Sequence, residues 1–115
     1  MSSNGIKEID SRELARWLSE KGDGLRVLDV RQPQEIAQGT VPRAEGVPLH
    51  TLPLRLNELD RNETLVLICR SGARSAQACM FLYQQGFENV YNLRGGIIGW
   101  AQSGLETAPA AFRQS

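Results

Sequence analysis

The chain has 115 residues, of which 41% are hydrophobic and 23% charged, a size and balance that fit one globular domain and exclude a disordered chain. Thirteen basic and thirteen acidic residues give a formal net charge of zero, so there is no general electrostatic drive toward nucleic acid or an anionic membrane, and any anion site has to be built locally. No apolar run approaches the roughly 18 residues of a membrane span. Met1-Ser2-Ser3-Asn4-Gly5 lacks the basic and apolar regions of a secretory signal, so a cytoplasmic protein with reduced thiols is expected.

In chain order, Ile6 to Ile9 reads as a short strand. Asp10 followed three residues later by Glu13 is a helix-start signature, and Leu14, Trp17 and Leu18 then share one helical face, with Gly22 and Gly24 ending the helix. Leu25 to Val30 reads as a buried strand with Asp29 near its end. Pro33 opens a helical turn through Ile36 that Gly39 stops. Pro42 to Pro48 reads as irregular, and Leu52, Leu56 and Leu59 as a short helix.

Thr64 to Ile68, TLVLI, is the most strand-like run and has no polar alternation, as in the centre of a parallel sheet. A helix over Ser75 to Gln85 follows, with Ala76, Met80 and Tyr83 at helical spacing and Gly86 at its end. Val90 to Leu93 is a last strand, and Ile97 to Gln102 a last helix. This alternation predicts an α/β domain with a mostly parallel central sheet and helices on both faces. One domain is expected over residues 1–115, with its core at about 5–104 and a tail at 105–115 that is loosely held from Ala108 onward.

The segment Cys69-Arg70-Ser71-Gly72-Ala73-Arg74-Ser75 sits where sites lie in such sheets, between the carboxyl end of a buried strand and a helix N-terminus. Unpaired N–H groups and the helix dipole there favour an anion, so the Cys69 thiolate should be stabilised. The small residues Ser71, Gly72 and Ala73 let the backbone curl around the sulfur as a nest of N–H groups. Arg70 and Arg74 add positive charge suited to an oxyanion. A packed core cysteine in an ordinary turn would not call for two arginines and a glycine.

This loop resembles the active-site loop of rhodanese-like domains. Further residues carry the same resemblance: Leu28-Asp29-Val30-Arg31, then Glu35, Gly39 and Pro42, then Gly86-Phe87, and finally Leu93-Arg94-Gly95-Gly96 followed by Trp100. The resemblance implies a single rhodanese-like domain that works as a thiosulfate sulfurtransferase without a cofactor. Cys69 would take sulfane sulfur from a donor such as thiosulfate and pass it, as a persulfide, to a thiol, cyanide or protein acceptor. Loop N–H groups of Arg70 through Ser75 would hold the persulfide, Arg70 and Arg74 would bind the donor's oxyanion, and Asp29 with Arg31 would support the loop. Thr40 stands where the family often has histidine. Ser71 stands where some thiosulfate-preferring members have lysine.

Two other classes use similar residues: a cysteine phosphatase or arsenate reductase on the same fold, and a regulatory or sulfur-carrier module without turnover. Phosphatases resembling this fold have five residues between cysteine and arginine, whereas Cys69 and Arg74 are separated by four, which favours sulfur. His50, the only histidine, reads as a loop residue rather than a base, since a stabilised thiolate needs none. Cys79, ten residues after Cys69, reads as core packing rather than a resolving thiol. Trp17 and Trp100 read as packing groups. Asp29 and Glu35, six apart without a histidine cluster, do not read as a metal site.

Overall fold

The computed structural model describes residues 6–21 and 24–111. These residues contain five strands: β1 Lys7–Ile9, β2 Leu25–Asp29, β3 Ala44–Gly46, β4 Thr64–Ile68 and β5 Val90–Leu93. They form one sheet in the order β1-β5-β4-β2-β3, with every pairing parallel. β4 lies at the centre, and Leu65 to Ile68 are buried to the last side chain because helices cover both faces.

Among the described residues, four α-helices complete the domain: α1 Ser11–Glu20, α2 Pro33–Ile36, α3 Ala73–Gln84 and α4 Gly96–Gln102. Asp10 caps α1 as its spacing predicts, its carboxylate accepting the Glu13 N–H at 2.8 Å. Two buried clusters divide the core. One packs Leu28, Leu65 and Leu67 against Leu82 and Phe87. The other packs Leu14, Val27, Val66 and Leu93 against Ile97 and Trp100.

Three segments differ from their sequence reading. Pro42 to Pro48 contains strand β3, whose three residues pair with β2; so short an edge strand between two prolines carries no periodic signal. Leu49–Glu58 is a 3-10 helix in which Pro53 supplies no backbone donor for a regular α ladder. The tail is held at two points, where Ala108 bridges Thr40 and Ala111 bridges Glu45. Residues 112–115 lie outside the described residues.

Candidate active site

β2 and β4 are neighbours, but the chain leaves them in opposite directions, from β2 to edge strand β3 and from β4 to β5. Such a switch point opens a crevice at the carboxyl ends of the strands. Cys69 is the first residue after β4, and Asp29 is the last of β2.

The loop after β4 turns at Gly72, whose φ of 109° is open to glycine but strained for other residues. The turn brings the Gly72 N–H to 3.0 Å from Cys69 Sγ and the Ser75 hydroxyl to 3.4 Å. Burial is the largest single influence on the Cys69 thiol and pushes its pKa up. The Ser75 hydroxyl and the N–H groups of Ser75, Gly72 and Ser71 together pull harder the other way, so the pKa lies below the ordinary thiol value.

The loop is shaped from beneath by α4. The N–H groups of Ile97 and Ile98, free at the start of that helix, donate to the carbonyls of Cys69 at 2.9 Å and Arg70 at 3.2 Å. In a trans peptide the N–H points away from the carbonyl, so turning the Arg70 carbonyl onto α4 turns the Ser71 N–H toward the sulfur. This close approach explains Gly96. A Cβ there would stand 2.4 Å from the Arg70 carbonyl oxygen and 2.5 Å from that of Cys69.

The two arginines, alike in the sequence, differ in their surroundings. Arg74 is tied to Glu35 of α2 by two hydrogen bonds of 3.1 and 3.2 Å, which raise its pKa and lower that of Glu35. Arg70 is exposed and has no ion pair among the described residues. Its guanidinium is the one open to an incoming anion.

Asp29 is fully buried and accepts from the Arg31 N–H, from the Arg31 guanidinium at 2.7–3.0 Å, and from the Thr40 hydroxyl at 2.6 Å. Arg31 also donates to the Gly39 carbonyl at 2.7 Å. This network ties the end of β2 to the segment leading to β3, and Asp29 reaches Arg74 through charge alone.

The remaining candidates stand apart from the loop. Cys79 is buried in the core with its pKa pushed up to about 12, chiefly by desolvation, so it is a poor nucleophile. His50 is exposed on the 3-10 helix. Trp100 is buried, and half-buried Trp17 packs edge-on against Tyr91 at 5.0 Å. Sequence reasoning missed Asn92, a buried polar residue of β5 that reaches both Ser75 and Gly72. Its signal was a lone amide in an otherwise apolar strand.

The profile of the rhodanese-like domain matches residues 10–103. A sulfurtransferase of Allochromatium vinosum is 51% identical over 87% of this chain and 92% of its own. The thiosulfate sulfurtransferase GlpE of Actinobacillus pleuropneumoniae is 33% identical, over 80% of this chain and 87% of its own. A crystal structure of a rhodanese-related protein from Thermoplasma volcanium superimposes with a TM-score of 0.80 at 30% identity, covering 90% of this chain and 98% of that one. With the family profile matching most of the chain and a 51% identical relative matched over nearly its whole length, the chain belongs to the rhodanese-like domain family.

Proposed function

We propose that the chain is a sulfurtransferase that moves sulfane sulfur through a persulfide on Cys69. The observation that carries this reading is the Cys69 sulfur ringed by the Gly72 N–H and the Ser75 hydroxyl, with a depressed pKa. The names of the relatives from Allochromatium and Actinobacillus agree with it.

In the first half-reaction, the Cys69 thiolate attacks the outer sulfur of thiosulfate. A new S–S bond forms, the donor's own S–S bond breaks, and sulfite leaves with the electron pair. Arg70 binds the donor's oxyanion, and Arg74 assists while shared with Glu35. In the second, an acceptor attacks the outer sulfur of the persulfide and Cys69 leaves as the thiolate, which the same loop donors stabilise. Cyanide gives thiocyanate; a thiol or a carrier protein would be the physiological acceptor. No step calls for a cofactor. The expected compartment is the cytoplasm, where a reactive thiol stays reduced.

The loop closes directly on the sulfur, which favours a single sulfur atom above Cys69 over a tetrahedral phosphate. The deciding assay measures thiocyanate formed from thiosulfate and cyanide beside nitrophenol released from nitrophenyl phosphate. Thiocyanate formation that disappears in Cys69→Ala supports the proposal. Cys69-dependent phosphate release without thiocyanate overturns it.

A further inference from the structure

Ser75 has one hydroxyl proton and two acceptors within reach. Cys69 Sγ lies 3.4 Å from its oxygen and Asn92 Oδ1 lies 2.5 Å away. The Asn92 amide has one orientation that suits its neighbours, because its Nδ2 faces two acceptors at 3.2 Å, the Gly72 carbonyl and Glu8 Oε2. Turning the amide over would set its oxygen against both. Oδ1 therefore faces Ser75, and since Ser75 is fully buried and Asn92 is 2% exposed, water cannot substitute for either contact.

We propose that Asn92 is a positioning residue that competes with Cys69 for the single proton of the Ser75 hydroxyl. When Cys69 is protonated, its S–H can donate to Ser75 Oγ while Ser75 donates to Asn92. When Cys69 is a thiolate, Ser75 must turn from Asn92 to stabilise the sulfur. Asn92 thereby limits how far the loop stabilises the thiolate. Such a limit has a chemical use, because the intrinsic reactivity of a thiolate falls as its pKa falls.

The charged groups around this pair belong to several elements. Arg74 of α3 acts on Cys69 and is paired with Glu35 of α2. Asp29 at the end of β2 acts on Arg74. Cys79 of α3 feels both Cys69 and Glu8. Glu8 of β1 stands behind Asn92 and is paired with Arg94. Of these, only Glu8 touches Asn92, so its charge needs a separate control.

The test is the rate of iodoacetamide alkylation of Cys69 against pH, which does not depend on sulfur transfer; its failure leaves the proposed reaction standing, and the reverse holds too. Asn92→Leu, similar in size and without a polar group, should lower the midpoint. Below that midpoint the thiolate fraction should rise by roughly three- to tenfold, the worth of one hydrogen bond, and alkylation by roughly two- to fourfold once the lower reactivity of the thiolate is counted. The high-pH plateau should fall by about twofold, because the thiolate is less basic. Ser75→Ala should move the midpoint up, and the double variant should match Ser75→Ala alone. Glu8→Gln should leave the midpoint in place. A structural role for Asn92 would loosen the loop and raise the midpoint in both single variants, which overturns the proposal. A shift in Glu8→Gln equal to that of Asn92→Leu also overturns it. Should Asn92→Leu fail to fold by circular dichroism, the unaltered protein serves: the Asn92 side-chain amide resonances should titrate with the alkylation midpoint of Cys69. Resonances that stay fixed across that midpoint contradict the competition.

Discussion

Gly96→Ala should damage the domain and its Cys69 loop together. At Gly96 φ is +59°, a left-handed conformation that costs a residue with a Cβ roughly 1–2 kcal/mol. The new Cβ would also sit 2.4–2.6 Å from backbone atoms of Cys69 and Arg70, which are not flexible side-chain ends and cannot step aside alone. Relief requires α4 and the loop to separate, which weakens the bonds from Ile97 and Ile98 to those carbonyls. Each is worth about 1 kcal/mol. The sum is about 3–4 kcal/mol, or a fall in Tm of roughly 12–17 °C for a domain of this size. Because the Ser71 N–H is aimed by the same bonds, the alkylation midpoint of Cys69 should rise as well. Gly104→Ala supplies the control: its φ is also positive, at +78°, but no atom lies within 4 Å of a Cβ there. It should show the conformational cost alone and leave alkylation unchanged. Urea unfolding followed by circular dichroism, with alkylation against pH, measures both. A Gly96→Ala protein that loses no more stability than Gly104→Ala and keeps its alkylation profile would refute the clamp.

Other outcomes follow from the same geometry. Arg70→Ala should raise the apparent KM for thiosulfate while leaving Tm nearly unchanged, because Arg70 is exposed without an ion pair among the described residues; Arg74→Ala should raise KM less, since Glu35 already shares its charge. An unchanged KM in both variants would contradict the anion-binding role. Alkylation of the native protein should have a midpoint below the free thiol value of about 8.5, and should slow as pH falls through that midpoint. The depressed pKa also means that Cys69 contributes stability above the ordinary thiol pKa and loses it as pH falls through the folded value. Cys79, pushed up to about 12, should stay unmodified until the protein is unfolded, so mass spectrometry should count one adduct on the native chain and two on the denatured one. Two native adducts at neutral pH would contradict the raised pKa of Cys79.

The strands and helices that place Cys69 were legible because each carries its own signal. TLVLI is apolar at every position, as a central parallel strand must be, and Asp10 with Glu13 forms a local hydrogen bond that spacing alone encodes. Strand β3 was not legible, because three residues acquire strand geometry only from pairing with β2. Arg26 lay hidden in an apolar run; it is buried with Glu45, which accepts from it at 2.7 Å, a partner 19 residues away that no local pattern announces. In the candidate site, Cys69 and its loop could be read directly. The unequal roles of Arg70 and Arg74 could not, since they depend on Glu35 arriving from α2. Asn92 escaped for the same reason: it meets Ser75 only once β5 is laid beside β4.

The proposed sulfur transfer requires Cys69 itself to carry the sulfur. Intact-mass spectrometry after incubation with thiosulfate measures that loading. The protein should gain the mass of one sulfur atom and lose it on addition of cyanide; Cys79→Ala should behave the same way, and Cys69→Ala should gain nothing. Sulfur that loads onto the Cys69→Ala protein, or fails to load onto a folded, unaltered chain with any sulfane donor, would contradict the claim.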